Sequence, residues 1–419
     1  MVDHDVRPGP LERCQICGST ELRPVIDLGH QPLCDAIVSE AGLRAPEAFY
    51  PLRLVRCPRC GLCQLDYVVD GAVVYPPGYP YRSGITRELA EYQRSFAAGV
   101  IAKLGLAPGA LCVDVGSNDG TLLTGFRDRS MRVLGIEPTN IAAIARRENG
   151  VDTVQQFFTE TLAADVARAH GRAAVITMTN VFAHMAELGE VMRGIVALLA
   201  EDGVFISESH YLLDVVERVQ YDSIYHEHIR TYCLRALVTL FDAYGLDVFD
   251  VERASRYGGN LRTYVCRRGR RPIARDVGAL LQLEEARGLF AEPAYQAFRD
   301  RAHAARDALM TLAYAARADG RRFVGNSCPG RCVTLLNFCG MRPDLMPYVA
   351  EQPASLKLGH YVPGLHIPIV DNSVLLREQP PYVVLLAWHY ADPIARQLRE
   401  RGLRSAFVVP LPEVRVLSD

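Results

Sequence analysis

The sequence predicts an α/β protein built on a doubly wound, mostly parallel sheet, with a β-rich metal module before it and a second small α/β unit after it. Three observations carry this reading. An apolar run at 111–115 leads into a Gly-bracketed turn, V-G-S-N-D-G-T-L-L, and a second apolar run at 133–136 ends in Glu137. Two C-x-x-C-G knuckles stand near the N-terminus, and strand and helix signals alternate again after residue 320. Short apolar runs separated by helical segments are the pattern of a parallel sheet with helices on both faces.

The first unit is expected over residues 1–70. Cys14-Gln-Ile-Cys17 and Cys57-Pro-Arg-Cys60 are each followed by Gly. The two-residue spacer lets both sulfurs of a knuckle reach one ion, and Gly permits the turn behind them. Four thiolates make a closed tetrahedral site, so the expected metal is a structural zinc. The 39 residues between the knuckles leave room for a β-rich insertion around D-L-G-H-Q-P-L. Cys34 and Cys63 are left over and read as small apolar fillers.

The second unit is expected over 71–269. The turn at Gly116, Ser117, Asn118 and Asp119 opens a helix whose N–H groups suit a negatively charged or carboxylate-bearing ligand. Glu137, followed by Pro138, stands where an acidic side chain accepts from both ribose hydroxyls. The turn lacks the G-K-[ST] of a phosphate loop, and Asn118 replaces the middle Gly that lets a pyrophosphate approach. A nucleoside without pyrophosphate remains, which suits S-adenosylmethionine. The same strand–turn–helix–acid pattern also occurs in doubly wound domains that bind nothing there. A third strand near 151–158 would bring Phe157 beside an adenine. A fourth would end at Asn180 with His184 one turn on, and a fifth would cover 204–209.

Beyond it lies the densest polar cluster of the chain, Tyr225-His226-Glu227-His228. Imidazole titrates near neutrality and takes protons, while a phenol donates to a developing oxyanion. On a helix Tyr225 and His228 would share a face. A solvated loop and a metal site are the competing readings, the latter lacking H-E-x-x-H spacing. Tyr79, Tyr81 and Ser83 lie in a Pro/Gly-rich connector that reads equally as a lid or as a linker. The G-G-N-L-R turn holds Asn260 and presents Arg262, either to a phosphate or to solvent.

The third unit, 270–419, begins with one long helical stretch near 277–317. Then comes Gly325-Asn-Ser-Cys-Pro-Gly-Arg331-Cys332, a strand–turn–helix signature interrupted by Pro329, and a last strand near 406–410. Lys357 is one of only two lysines against 44 arginines, and with Tyr361 and His366 it reads as a handle for a substrate. The net charge of −2 gives no sign of a nucleic-acid or membrane-surface protein, and no apolar run approaches a membrane span. Without a leader-like N-terminus the chain is expected in the cytoplasm, where its 12 cysteines stay reduced or metal-bound.

These motifs in this order resemble the nucleotide-sugar 3-C-methyltransferase family, the tetronitrose-type sugar C-methyltransferases. The resemblance includes both knuckles with D-L-G-x-x-P-L between them and the Tyr79/Tyr81/Ser83 segment. It continues through V-G-S-N-D-G-T-L-L, G-I-E-P, N-V-F-A-H, Y-H-E-H, G-G-x-L-R and P-G-x-H-I-P at 363–368, nearly the whole length. It implies a class I methyltransferase sheet flanked by a zinc domain and a C-terminal Rossmann-like domain. It implies S-adenosylmethionine held by the Gly116 turn and Glu137, and His228 as general base assisted by Glu227 and Tyr225. The sugar nucleotide would meet the C-terminal unit. Departures cluster there: the Gly325–Cys332 loop replaces a G-x-x-x-K-G-type sequence, Asn260 replaces a Ser, and His389 follows Trp388 where an Asn is usual.

The expected reaction is methylation at C3 of a thymidine-diphosphate-linked 4-keto-deoxysugar by a monomer, in natural-product sugar biosynthesis. A base removes the proton beside the ketone while a donor holds the enolate oxygen. Transfer to O or N, a nicotinamide-dependent oxidoreductase and a non-catalytic zinc module are the alternatives. No Y-x-x-x-K pair supports the oxidoreductase, and the Y-H-E-H cluster argues against a purely binding module.

Overall fold

A computed structural model describes residues 4–76, 82, 84 and 87–417 of the chain. Tyr79, Tyr81 and Ser83 lie outside the described residues.

Near the N-terminus three antiparallel strands, β1 (Arg23–Gln31), β2 (Tyr50–Arg56) and β3 (Cys63–Leu65), form a sheet. In β1 Val25, Ile26 and Leu28 are buried, and register shifts at Pro24/Ile26 and Asp27/His30 interrupt strict alternation.

The central sheet starts after a helix, α1 (Arg87–Leu104). Strand β4 (Leu111–Val115) is buried at all five residues, because a central parallel strand is covered on both faces. Helix α2 (Thr121–Arg127) follows, then β5 (Arg132–Ile136), α3 (Ile141–Asn149) and the two-residue β6 (Thr153–Val154). Helix α4 (Glu160–His170) leads to β7 (Ala173–Thr179), and α5 (Leu188–Leu198) to β8 (Leu199–His210). Helix α6 (Leu212–Glu217) then brings the chain to the Y-H-E-H segment. Strand β9 (Arg230–Thr231) leaves this unit and pairs with β3, extending the N-terminal sheet. Helix α7 (Leu234–Ala243) and strands β10 (Leu246–Ala254) and β11 (Asn260–Arg267) complete it. The order is β10-β11-β8-β7-β4-β5-β6, with β11 antiparallel to both neighbours and every other pairing among β4 to β8 parallel. The strand order reverses at β4 and β7, so the carboxyl ends of those two strands open the crevice where such sheets bind ligands.

The single long helix expected near 277–317 is two, α8 (Arg275–Ala286) and α9 (Glu292–Ala318). Gly288 lies in the turn between them at φ +66°, which ends the helical run. The C-terminal sheet then forms from β12 (Phe323–Asn326), α10 (Gly330–Cys339), β13 (Val349–Glu351), β14 (Ile369–Asp371) and α11 (Ser373–Glu378). Strand β15 (Tyr382–Leu385), helix α12 (Ala391–Glu400) and strands β16 (Ala406–Val409) and β17 (Arg415–Leu417) close it. Its order, β14-β13-β12-β15-β16-β17, is again doubly wound, with only β17 antiparallel. Loops from the carboxyl ends of both parallel sheets touch: Arg331 at the start of α10 and Trp388 after β15 both bond Asp222 of the central unit. Among the described residues, no helix is long and apolar enough to cross a membrane.

Candidate active site

Cys14, Cys17, Cys57 and Cys60 come together with all four sulfurs within 4.8 Å of one another. Cys14 Sγ lies 3.4 Å from Cys60 Sγ, and Cys17 Sγ 3.4 Å from Cys57 Sγ. Four sulfurs about 2.3 Å from a tetrahedral zinc are separated by roughly 3.8 Å, so the cluster fits the ion. Each knuckle closes alike: Gly18 N–H donates to Cys14 O and Gly61 N–H to Cys57 O, both at 2.9 Å. Cys63 behaves as a filler, its thiol pushed up to about 12 by burial. Cys34 does not. It donates to Glu227 Oε1 at 3.2 Å, so this leftover cysteine ties the N-terminal unit to the Y-H-E-H segment.

At the crevice of the central sheet the chain turns through Gly116 at φ +69°. A Cβ there would lie 2.5 Å from Val181 Cγ2, so only Gly lets the loops after β4 and β7 meet. Glu137 is buried at the end of β5. Its Oε2 accepts from Asn118 N at 3.0 Å, and its Oε1 accepts from Thr139 N at 2.9 Å and Thr139 Oγ1 at 2.7 Å. Asp119, just before the Gly120 cap of α2, accepts from Thr121 N and Oγ1, and its other oxygen accepts from Gly84 N at 2.8 Å. Ser117 turns its hydroxyl inward against Gly135. Pro138 is half-buried beside Glu137. Phe157 is 57% exposed on the loop after β6, while its neighbour Phe158 fills the core against Gly194. Glu137 thus braces the loop backbone of this turn.

The Y-H-E-H segment is a tight turn instead of a helix: His228 N–H donates to Tyr225 O at 2.8 Å. The turn still puts the expected pair side by side, the Tyr225 and His228 rings 3.9 Å apart. His228 Nδ1 lies 2.6 Å from Ser223 O. A carbonyl only accepts, so Nδ1 carries the proton and Nε2 the lone pair. Burial pushes the His228 imidazole down to about 4, with the Arg331 charge adding to the effect and the Ser223 carbonyl opposing it. His228 is therefore a neutral imidazole at neutral pH. Burial also holds the Tyr225 phenol well above its usual range, keeping it a proton donor. Glu227 adds negative potential around that phenol.

Two histidines lie beside this imidazole. The His184 ring is 4.9 Å from His228, and its Nδ1 meets Tyr75 Oη at 3.0 Å. His210, at the end of β8, lies 4.7 Å from His228 on the other side. Tyr75 and His210 were not singled out from the sequence; only the ending of an apolar strand in a polar His marks the latter. His226 lies apart: its Nε2 meets Tyr50 O at 3.3 Å and Pro51 O at 3.2 Å, so it ties the turn to β2.

Several residues expected to meet the substrate are engaged otherwise. Arg262 is no phosphate finger. Its Nε and Nη2 pair with Glu208 Oε2 at 2.8 and 2.7 Å, and its Nη1 with Glu252 at 2.7 Å. Asn260 is fully buried, donating to Glu208 Oε1 at 3.1 Å and Asn180 Oδ1 at 3.2 Å, so Asn180 and Asn260 brace the crevice floor. Lys357 Nζ donates to Asp35 Oδ1 at 2.8 Å and Cys328 O at 3.1 Å. Tyr361 makes a β-bridge with Val38, and His366 pairs with Glu47. These three hold the C-terminal unit to the N-terminal one, because the long loops between its strands lie against that unit.

Comparison with known proteins gives three family matches. Residues 14–75 match the "Putative zinc binding domain" of methyltransferases, 89–251 a methyltransferase domain, and 255–412 the C-methyltransferase C-terminal domain. Across 419 residues the chain is 32% identical to the C-methyltransferase NovU of Streptomyces niveus, covering 98% of this chain and 97% of that protein. The magnesium protoporphyrin IX methyltransferase of Synechocystis, solved with bound S-adenosylhomocysteine, is 14% identical with a TM-score of 0.33 over 42% of this chain and 83% of its own. An S-adenosylmethionine-dependent methyltransferase of Clostridium acetobutylicum is 12% identical with a TM-score of 0.35, covering 43% of this chain and 92% of its own. A zinc module, a class I sheet and the C-terminal domain in one chain, matched along its whole length, place it in a single family: the chain belongs to the C-methyltransferases and is an S-adenosylmethionine-dependent enzyme.

Proposed function

We propose that the enzyme methylates C3 of a nucleotide-linked 4-keto-deoxysugar, thymidine diphosphate being the expected carrier, in the biosynthesis of a natural-product sugar. The observation that carries this reading is His228, neutral, with Nδ1 tied to Ser223 O at 2.6 Å and the Tyr225 ring 3.9 Å away.

Methylation at carbon requires a carbanion equivalent, and a ketone supplies one when the adjacent C–H is removed. His228 Nε2 takes that proton. The phenol of Tyr225 donates to the oxygen that becomes the enolate, and its raised pKa keeps the donor protonated while charge develops. Glu227, held by Cys34, supports the polarity of this corner. The turn at Gly116 and the carboxylate of Glu137 would hold S-adenosylmethionine, which supplies an electrophilic methyl group when bound. A buried site favours the step, because opposite charges are neutralised together as the new carbon–carbon bond forms. The zinc cluster holds scaffold, and the C-terminal unit faces the nucleotide.

The test is incubation with S-adenosylmethionine and a panel of thymidine diphosphate 4-keto-sugars, with mass spectrometry and NMR of the product. One added methyl on C3 is the expected result. A methyl on oxygen or nitrogen overturns the reading.

A further inference from the structure

Arg331, a residue of the divergent C-terminal loop, has its five N–H groups directed at five acceptors. Nε and Nη2 grip the Asp222 carboxylate at 2.8 and 2.7 Å, and Nη2 also reaches Gln220 Oε1 at 3.1 Å. Nη1 donates to Tyr257 O at 3.0 Å and faces His389 Nδ1 at 3.4 Å. Asp222 is fully buried, and Trp388 Nε1 donates to its Oδ2 at 2.7 Å. From the same unit Thr334 Oγ1 donates to Ile224 O at 3.1 Å. The residues on both sides of Ser223 are therefore held by side chains of the C-terminal unit. The carbonyl of Ser223 is the one that accepts from His228 Nδ1.

We infer that Arg331 is a positioning residue for His228: by fixing Asp222 it fixes the peptide plane of Ser223, whose carbonyl selects the imidazole tautomer. The carbonyl cannot turn away from Nδ1 unless the peptide planes beside it rotate, and Arg331, Trp388 and Thr334 oppose that rotation. The C-terminal unit would then act on the proton-transfer step itself, in addition to facing the nucleotide. The catalytic consequence rests on the reading of His228 as base, whereas the tautomer is a property of the free enzyme.

The experiment uses full-length protein labelled with 15N-histidine, comparing wild type with Arg331→Lys and with the double variant Trp388→Phe/Thr334→Val, which keeps the ion pair. Nitrogen NMR of the substrate-free enzyme should show His228 with Nδ1 protonated in wild type and a tautomer mixture in the variants. Turnover number should fall roughly 10–100-fold, as when outer partners that orient a histidine are removed, with KM for the sugar nucleotide little changed. An unchanged tautomer in Arg331→Lys overturns the inference, as does a rise in KM alone. A shifted tautomer with unchanged turnover upholds the positioning and overturns the assignment of His228 as base. If Arg331→Lys does not fold, Asp222→Asn, which loosens the same grip from the other side, takes its place and decides.

Discussion

Tyr225 and His228 face each other across one tight turn, their ring centroids 3.9 Å apart, in a corner built from two sheets. The turn begins in the central unit and continues into β9, which pairs with the N-terminal sheet. A proton acceptor and a proton donor are thus held at one place by backbone, and burial sets the ionisation of both.

That burial fixes the pH response. His228 is held down to about 4, so its base form persists well below the ordinary imidazole range near 6.5. The acid limb of kcat/KM should lie far below pH 6.5, near pH 4, with no break between pH 6 and 8 from this group. His226 is also lowered to about 4 by burial. The unfolded chain protonates both histidines from about pH 6.5 downward while the folded chain does not until about 4, so stability should fall as pH falls through that window. A profile breaking near 6.5 would mean a solvated imidazole.

The zinc cluster gives a stoichiometric expectation. Full-length protein should contain one zinc per chain by elemental analysis, and Cys57→Ser should lose the metal and lower the thermal midpoint. Because β9 joins the N-terminal sheet, the loss should also reduce activity, although no cysteine of the cluster touches His228. Folded, active protein without zinc would contradict this.

Arg262 separates a structural role from a substrate role. Glu208 is 1% exposed and depends on Arg262, Asn260 and Tyr92. Arg262→Met should destabilise the protein by about 3–5 kcal/mol by leaving a buried carboxylate uncompensated, and adding Glu208→Gln should recover part of that loss. Denaturation measures both. Full stability with a raised KM for the sugar nucleotide would restore the phosphate-binding role.

Glu137 is expected to serve cofactor binding through the loop it braces as well as directly. Glu137→Ala should weaken S-adenosylmethionine binding by about 1.5–3 kcal/mol, the cost of losing hydrogen bonds to a charged group. Calorimetry reads this without any sugar present. Unchanged affinity would move the ribose partner elsewhere.

What was legible in the sequence is what is local. The C-x-x-C-G knuckles, the Gly116 turn with Glu137 and the Tyr225–His228 relation each arise within a few residues or from two short motifs with strict spacing. The pairing expected of Tyr225 and His228 on a helix is met by a turn, which also brings residues three apart to one side. His226 shows the limit: its neighbours all face the active corner, but the ring points to Tyr50 and Pro51, which strand pairing alone brings near. Arg331 and Asp222 stand 109 residues apart, and nothing in either segment announces the other. The same holds for Lys357 with Asp35 and His366 with Glu47, long-range ties that a view of solvated handles overlooks. The long helix broke at Gly288 because a chain at φ +66° leaves the helical path.

The most direct test of the central claim is exchange of the sugar C3 proton with deuterated water, followed by NMR on wild type and His228→Asn. Loss of a positioned base typically costs ~10²–10⁴-fold in rate. Exchange should slow by that order while calorimetry finds S-adenosylmethionine affinity nearly intact. Exchange at the wild-type rate in the His228→Asn variant would contradict the account and return His228 to a binding role.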